Sequence, residues 1–352
     1  FSTNSTLIMS SATPYEGAIL GMCNPLLDIS SDVPMEFLEK YGVTLNNAIL
    51  AEEKHIPLYE ELIASYPVQY IAGGATLNSI RVAQWMLQIP GSTAYFGAIG
   101  QDKFGETLEQ CAADDGLRMV LQKTPGVATG TCAVLINGGE RSLVANLAAA
   151  NTFTSAHLEN ADAKDAVNKA QIVYTSGFFL TVSVDSIVSV CKHIVENDKT
   201  YCLNLSAPFI VQFFGEQLAT AMQYADFVFA NESEAAIYGE TKGLGSDLAV
   251  IAKKIAALPK ASGTRPRTVV FTQGASATIV CHQGKVTTYP VDALPSNLLV
   301  DTNGAGDAFV GGFLSQLIQG KELSECVRAG HFASRVIIQR SGCTFPKECT
   351  FL

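Results

Sequence analysis

Residues 298–320 read LLVDTNGAGDAFVGGFLSQLIQG and hold the side chains best suited to chemistry. Asp301, Thr302, Asn303, Gly304, Ala305, Gly306 and Asp307 form a tight run of small and polar residues. Beyond it, Phe309, Val310, Phe313, Leu314, Leu317 and Ile318 recur at helical spacing, and Gly320 fits a helix end. The apolar Leu298, Leu299 and Val300 predict a short strand, so the unit reads strand, glycine loop, helix. Such a loop leaves backbone N–H groups unpaired and pointing one way. With the helix dipole they make an anion site, most often for phosphate. Asp307 is the unusual member, because a carboxylate repels phosphate. It makes sense as a base that takes a proton from a hydroxyl attacking phosphorus, while the N–H groups stabilise the transferred group. A carboxylate in a first helical turn also simply suits the dipole, and an isolated GxxD would be read that way. No GxxxxGK[ST] occurs, so this is not a Walker loop.

The elements that must position this loop follow from the pattern along the chain. Residues 18–22 form an apolar strand that ends at Cys23-Asn24-Pro25-Leu26-Leu27-Asp28. Asn24 and Asp28 then lie beyond a strand's carboxyl end, where open α/β sheets bind ligands, although Asn-Pro is equally good turn chemistry. Helices are expected at 35–41 and 52–65. Gly73-Gly74 opens another helix, with Asn78 near its first turn. The pair either admits a ligand close to the backbone or only makes a tight connection. Asp102, after the strand at 94–96, is a helix-cap candidate. Residues 131–136 and 141–147 flank Asn137-Gly138-Gly139-Glu140 and predict a hairpin. As a lone residue, Arg141 after that turn reads as a solvated strand-end charge. From 151 onward, strands at 172–174, 201–205, 227–229 and 268–272 alternate with helices, arguing a parallel sheet covered on both faces. Residues 278–282 and 286–290 look like an antiparallel edge hairpin. Asn231 and Glu234 match a capping box. Gly274, after Gln273, leaves room for phosphates, and His331 sits in an apolar helix as a core residue would.

A chain of 352 residues with 48% hydrophobic and 16% charged content can bury a large core. Its formal net charge of -10 argues against a nucleic-acid partner. No apolar run is long enough to span a membrane. The 9 cysteines are scattered without a CxxC pair, which suits reduced thiols rather than disulfides or zinc.

The stretch DTNGAGDAFVGGF, residues 301–313, closely resembles the C-terminal signature of the ribokinase-like (PfkB) family of sugar and nucleoside kinases. The likeness runs from about residue 17 to 346 and includes the diglycine, GxxGxDxFG at 97–105 and NxxE at 231–234. It implies an α/β fold, a three-layer, doubly wound, mostly parallel sheet, in one kinase domain over 17–352. A small β-rich lid subdomain would form from about 25–71 and 127–150, and residues 1–16 would be a disordered leader. By the resemblance Asp307 is the catalytic base, Gly304, Ala305 and Gly306 supply the anion hole, and Asn303 lies beside the acceptor. Arg141 would reach the transferring phosphate when the lid closes. Asn24, Asp28, Gly73, Gly74 and Asn78 would hold sugar hydroxyls, each of which donates and accepts a hydrogen bond. Glu234 would orient magnesium-bound water with support from Asn231, and Gln273, Gly274 and His331 would lie at the ATP. Magnesium takes few protein ligands, so one carboxylate suffices.

Stretches such as GMCNPLLDIS (21–30), RSLVANLAAAN (141–151) and LNLSAPFI (203–210) resemble the family members that phosphorylate adenosine. A purine would then lie among Leu26, Cys132, Leu143, Ala145, Leu147 and Phe178, with Phe209 nearby, since a flat ring wants apolar faces. Those members commonly carry a serine after the diglycine. This chain has Ala75, which removes one polar group from the ribose side. The implied reaction is ATP-dependent phosphorylation of the 5′-hydroxyl of adenosine. The implied protein is monomeric and cytoplasmic, with the nucleus as a second location. The rivals are a kinase of the same fold acting on a sugar or another nucleoside, and a nucleoside-binding protein without catalysis. A dehydrogenase lacks support, because no GxGxxG follows the first strand.

Overall fold

Thr93–Gly100 and Ile172–Ser176 are buried at every position, as strands covered on both faces must be. They lie in the large sheet of a computed structural model that describes residues 15–45, 47–261 and 265–352. The expected leader falls, up to residue 14, outside the described residues. In chain order the strands are β1 (Ile19–Met22), β2 (Leu26–Asp32), β3 (Ala48–Leu50), β4 (Gln69–Gly73), β5 (Thr93–Gly100), β6 (Arg118–Thr124), β7 (Thr131–Asn137), β8 (Glu140–Asn146), β9 (Ile172–Ser176), β10 (Thr200–Asn204), β11 (Phe227–Asn231), β12 (Thr268–Gln273), β13 (Ser276–His282) and β14 (Lys285–Tyr289).

The large sheet has the order β14-β13-β12-β11-β10-β9-β1-β5-β6 and is parallel from β12 to β6. β13 and β14 form the antiparallel edge hairpin. From β1 the chain builds outward through β5 and β6 on one side and through β9 to β12 on the other. The carboxyl end of β1 is therefore the switch point, where the flanking connections diverge and leave a crevice. A second sheet, ordered β3-β8-β7-β2-β4, is inserted between strands of the first. β7 and β8 are the hairpin expected around Asn137. Within the segment expected to join the β-rich subdomain, the three individual strands were not foreseen, because β2 pairs with β7 and β3 with β8, about a hundred residues away, and β4 with β2. What reads locally as a turn at 23–28 becomes strand from Leu26.

The expected strand at Leu298–Val300 does not form. Ser296–Leu298 is a single tight turn, and the backbone N–H groups of Val300 and Asp301 both donate to Ile338 O, at 2.8 and 3.2 Å. No strand lies alongside, and these side chains stay exposed. Apolar composition marked the run, but a strand needs a paired neighbour.

Two helices carry the chemistry-bearing residues. Ala75–Leu87 starts after Gly74, whose φ of 100° excludes most side chains. Ala305–Leu317 starts after Gly304, at φ 77°. Their contact is glycine-dependent, since a Cβ on Gly311 would lie 2.4 Å from Ser79 O. On the neighbouring flank a Cβ on Gly312 would lie 2.4 Å from Ala329 O, in the helix Leu323–Ile337. The helix with Asp307 is thus clamped between two neighbours at backbone distance. Gly311→Ala should lower stability by about 2 kcal/mol or more, the usual scale for overpacking a tight contact. Urea unfolding measures this, and an unchanged midpoint would mean that the helices part at no cost.

Candidate active site

Local rules account for where Asp307 sits. Asp307 occupies the first turn of Ala305–Leu317 beside the helix N-terminus, which favours a carboxylate. The N–H of Ala305 is already engaged with Thr302 O at 3.2 Å. Among the described residues, no partner is found for the N–H groups of Gly304, Gly306 and Asp307. The expected donor set at this loop therefore shifts by one, with Asp307's own amide in place of that of Ala305. Space above Gly306 is open, with no atom within 4 Å of where its Cβ would be.

Across from it, Asn78 Nδ2 donates to Asp307 Oδ2 at 3.0 Å. Asn78 is buried, and its Oδ1 has no hydrogen-bond partner among the described residues. Asp307 keeps some surface toward the crevice but is walled in by protein elsewhere. Burial pushes its carboxyl up to about 6, against the opposing pull of the Asn78 amide. That places it near the working range of a general base.

The small sheet contributes one face. Register pairs Leu26 with Gly73, Asp28 with Ile71 and Cys132, Cys132 with Ala145, Val134 with Leu143, and Ile136 with Arg141. Since side chains alternate along a strand, Leu26, Asp28, Cys132, Leu143, Ala145 and Arg141 share a face. Leu27, Ile29, Ala133, Leu135 and Val144 are fully buried on the other. The first face looks toward the glycine loop, because Arg141 on it reaches Asp301. Gly73 is needed there, since a Cβ would lie 2.3 Å from Asp28 Oδ2. Burial pushes Asp28 up to about 7; nearby Arg81 opposes this and the charge of Asp307 adds to it. Beyond the sheet edge lie Leu147 and, after β9 and β10, Phe178 and Phe209, whose rings are 6.1 Å apart and tilted by 40°.

Arg141 is not the solvated strand-end charge that its local context predicts. It is 9% exposed. Its Nε meets Asp301 Oδ2 at 3.1 Å, and Nη2 donates to Ser341 Oγ. The remaining residues are less converged. Asn24 turns its amide to Ala150 O and Asn151 Oδ1, at 3.2 and 2.9 Å. Asn303 folds onto Asp301, with N and Nδ2 each 2.9 Å from Oδ1. Gln273 bonds within its own hairpin to Ala277 O, and Gly274 is the turn, at φ 53°. His331 meets Thr278 Oγ1 at 2.8 Å, and burial depresses its ring.

Asn231 and Glu234 do form a reciprocal capping box at the helix Glu232–Thr241, with bonds of 2.8 and 3.0 Å. Glu234 is nonetheless buried, which pushes it up to about 7; hydrogen bonds from the backbone at Asn231 and Ser206 oppose this, and the charge of Asp307 adds to it. Sequence reasoning missed Asp301 as a partner of Arg141, although it begins the motif that was singled out. It also missed Arg81, which joins Asp115 at 2.6 Å and two carbonyls. No local signal distinguishes a buried arginine from a solvated one.

The sequence profile of the pfkB family carbohydrate kinases matches residues 35–349. Adenosine kinase 2 of Arabidopsis thaliana is 53% identical over 344 residues, covering 97% of this chain and 100% of that protein. The structure of Anopheles gambiae adenosine kinase in complex with P1,P4-di(adenosine-5) tetraphosphate superposes with a TM-score of 0.87 at 47% identity, over 96% of this chain and 99% of that one. Adenosine kinase from Schistosoma mansoni in complex with adenosine and AMP gives 0.84 at 37% identity, over 94% and 98%.

The raised carboxyl of Asp307 has a stability signature. Its folded value of about 6 lies above the ~4 of an unfolded aspartate. Stability is therefore lost as pH rises from ~4 through the folded value, because the buried charge is disfavoured. Asp307→Asn should raise the melting temperature at pH 8, and the gain should vanish below pH ~4. A variant melting at or below the parent at pH 8 would contradict this.

Proposed function

The chain belongs to the pfkB family of carbohydrate kinases, and we propose that it is an adenosine kinase, transferring the γ-phosphoryl group of ATP to the 5′-hydroxyl of adenosine. The single observation that carries the chemistry is Asp307, a carboxyl raised to about 6 beside unpaired N–H groups at a helix start. In this reading Asp307 Oδ1 takes the 5′-hydroxyl proton as that oxygen bonds to the γ-phosphorus. The bond from phosphorus to the ADP oxygen breaks, leaving AMP and ADP. The amides of Gly304, Gly306 and Asp307, with Arg141, stabilise charge on the transferred group.

Apolar Leu26, Cys132, Leu143 and Ala145 on one sheet face, with Phe178, suit a purine better than a bare sugar. Asp28 and Asn78, next to Gly73 and Gly74, would hold the ribose hydroxyls. The small sheet works as a lid that excludes water.

Magnesium fits the residues present. Glu234 is a buried carboxyl and Asp307 a largely desolvated one, and the charge of Asp307 disfavours that of Glu234, a situation a divalent cation relieves. Glu234 would hold it through water, and bound magnesium would neutralise ATP phosphate charge. The free, mostly buried cysteines suit a reducing compartment such as the cytoplasm. No helix among the described residues is long and apolar enough to cross a membrane.

The test is ADP release with magnesium-ATP and adenosine, inosine or ribose. Adenosine should be the preferred acceptor. Asp307→Asn should cut turnover at least ~100-fold, the low end for general-base catalysis. Because the carboxylate is the active form, kcat/KM should be flat at alkaline pH and fall below about 6. Near-normal turnover in the variant would remove Asp307 as base, and a preference for ribose would remove the purine site.

A further inference from the structure

The ion pair between Arg141 and Asp301 does more than neutralise two buried charges. The two oxygens of Asp301 divide their work. Oδ1 accepts from Asn303 N and Nδ2, both at 2.9 Å, and so shapes the turn into the glycine loop. Oδ2 accepts from Gly342 N at 3.1 Å and lies 3.1 Å from Arg141 Nε as its ion-pair partner. One carboxylate, 6% exposed, thus joins the small sheet, the phosphate loop and the segment after the last helix.

We propose that Asp301 is a positioning residue for phosphoryl transfer, holding the Arg141 guanidinium beside the glycine loop so that its remaining edge faces the transferred group. This rests on the proposed kinase reaction. The guanidinium is planar and presents its donors in a fixed fork. Nε is held by Asp301 and Nη2 by Ser341, which fixes the plane. Among the described residues Nη1 has no hydrogen-bond partner, so one corner is left for an anionic oxygen.

The charge of Asp301 is essential to this role. Asparagine would replace one acceptor oxygen by an N–H group, which would face donors on Asn303 or on Arg141 and Gly342. Glutamate would move the acceptors outward by a methylene. The pair also makes the clamp conditional on docking. Arg141 comes from β8 of the small sheet, whereas Asp301 and Ser341 belong to segments flanking the large one. Separation of the two bodies removes the cation from the loop and leaves it beside neither anchor.

The experiment is a double-mutant cycle read on kcat and KM with magnesium-ATP and adenosine. Arg141→Ala should lower kcat about 1000-fold, the low end for removing an arginine from a phosphoryl-transfer site. Asp301→Asn should lower kcat about 100-fold, the scale of a misplaced catalytic group, with both KM values nearly unchanged. The double variant should be no slower than Arg141→Ala alone. Losses that multiply would show that Asp301 acts independently of Arg141 and would overturn the inference, as would a normal kcat in Asp301→Asn. A melting curve is recorded for each variant. Should Asp301→Asn fail to fold, Ser341→Ala removes the second anchor. It should slow kcat without compounding the loss in Arg141→Ala, and an unchanged kcat there would also overturn the inference. Absence of adenosine-dependent ADP release in the parent would instead refute the proposed reaction itself.

Discussion

The hydrogen bond from Asn78 to Asp307 depends on two helix starts meeting at backbone distance, and much of the molecule serves that meeting. Glycine at 311 lets the helices touch, and glycine at 74 and 304 lets each chain turn into its helix. Burial alone would leave the aspartate too eager to keep a proton. The amide bond partly reverses this, and the balance near 6 yields a carboxylate that is ionised at neutral pH yet still basic enough to accept. Asn78 also occupies one oxygen, leaving the other as the acceptor that faces the crevice.

The two sheets solve different problems. The large one is a scaffold whose strand ends bring residues from distant parts of the chain to a common rim. The small one presents an alternating pattern, packed behind and half open in front. Its open face carries a graded chemistry, with apolar side chains at one end and a cation at the other, held together by strand register alone. A nucleoside has the matching division between base and reactive hydroxyl.

What the sequence reveals follows from the range of the interaction involved. Helix starts, the Asp102 cap and the Asn231–Glu234 box depend on residues three apart, and all three were readable. The Asn137 hairpin was readable for the same reason. β2, β3 and β4 escaped notice, because strands that pair with β7, β8 and β2, far along the chain, leave little local mark. Leu298–Val300 failed in the opposite sense, with strand composition but no partner. At the site, the glycine loop and Asp307 were plain, yet which amides stay free depended on Thr302 O. Arg141 was meaningful only by family likeness; its burial against Asp301 and Ser341 joins residues far apart in the chain.

The helix Ala305–Leu317 is held on two flanks by glycine contacts, at Gly311 and Gly312, and a third glycine, Gly330, admits Phe309. Such close backbone contact leaves no intermediate position, because any shift opens a void on one flank and a clash on the other. Local opening therefore cannot begin in this helix. Its hydrogen-bonded amides beyond the first turn should exchange with solvent chiefly through global unfolding, whereas the small sheet, joined partly by polar contacts, can open in subglobal steps. Asp307 thus belongs to a tightly packed unit, and opening of the crevice can admit and release ligands while leaving its carboxylate in register.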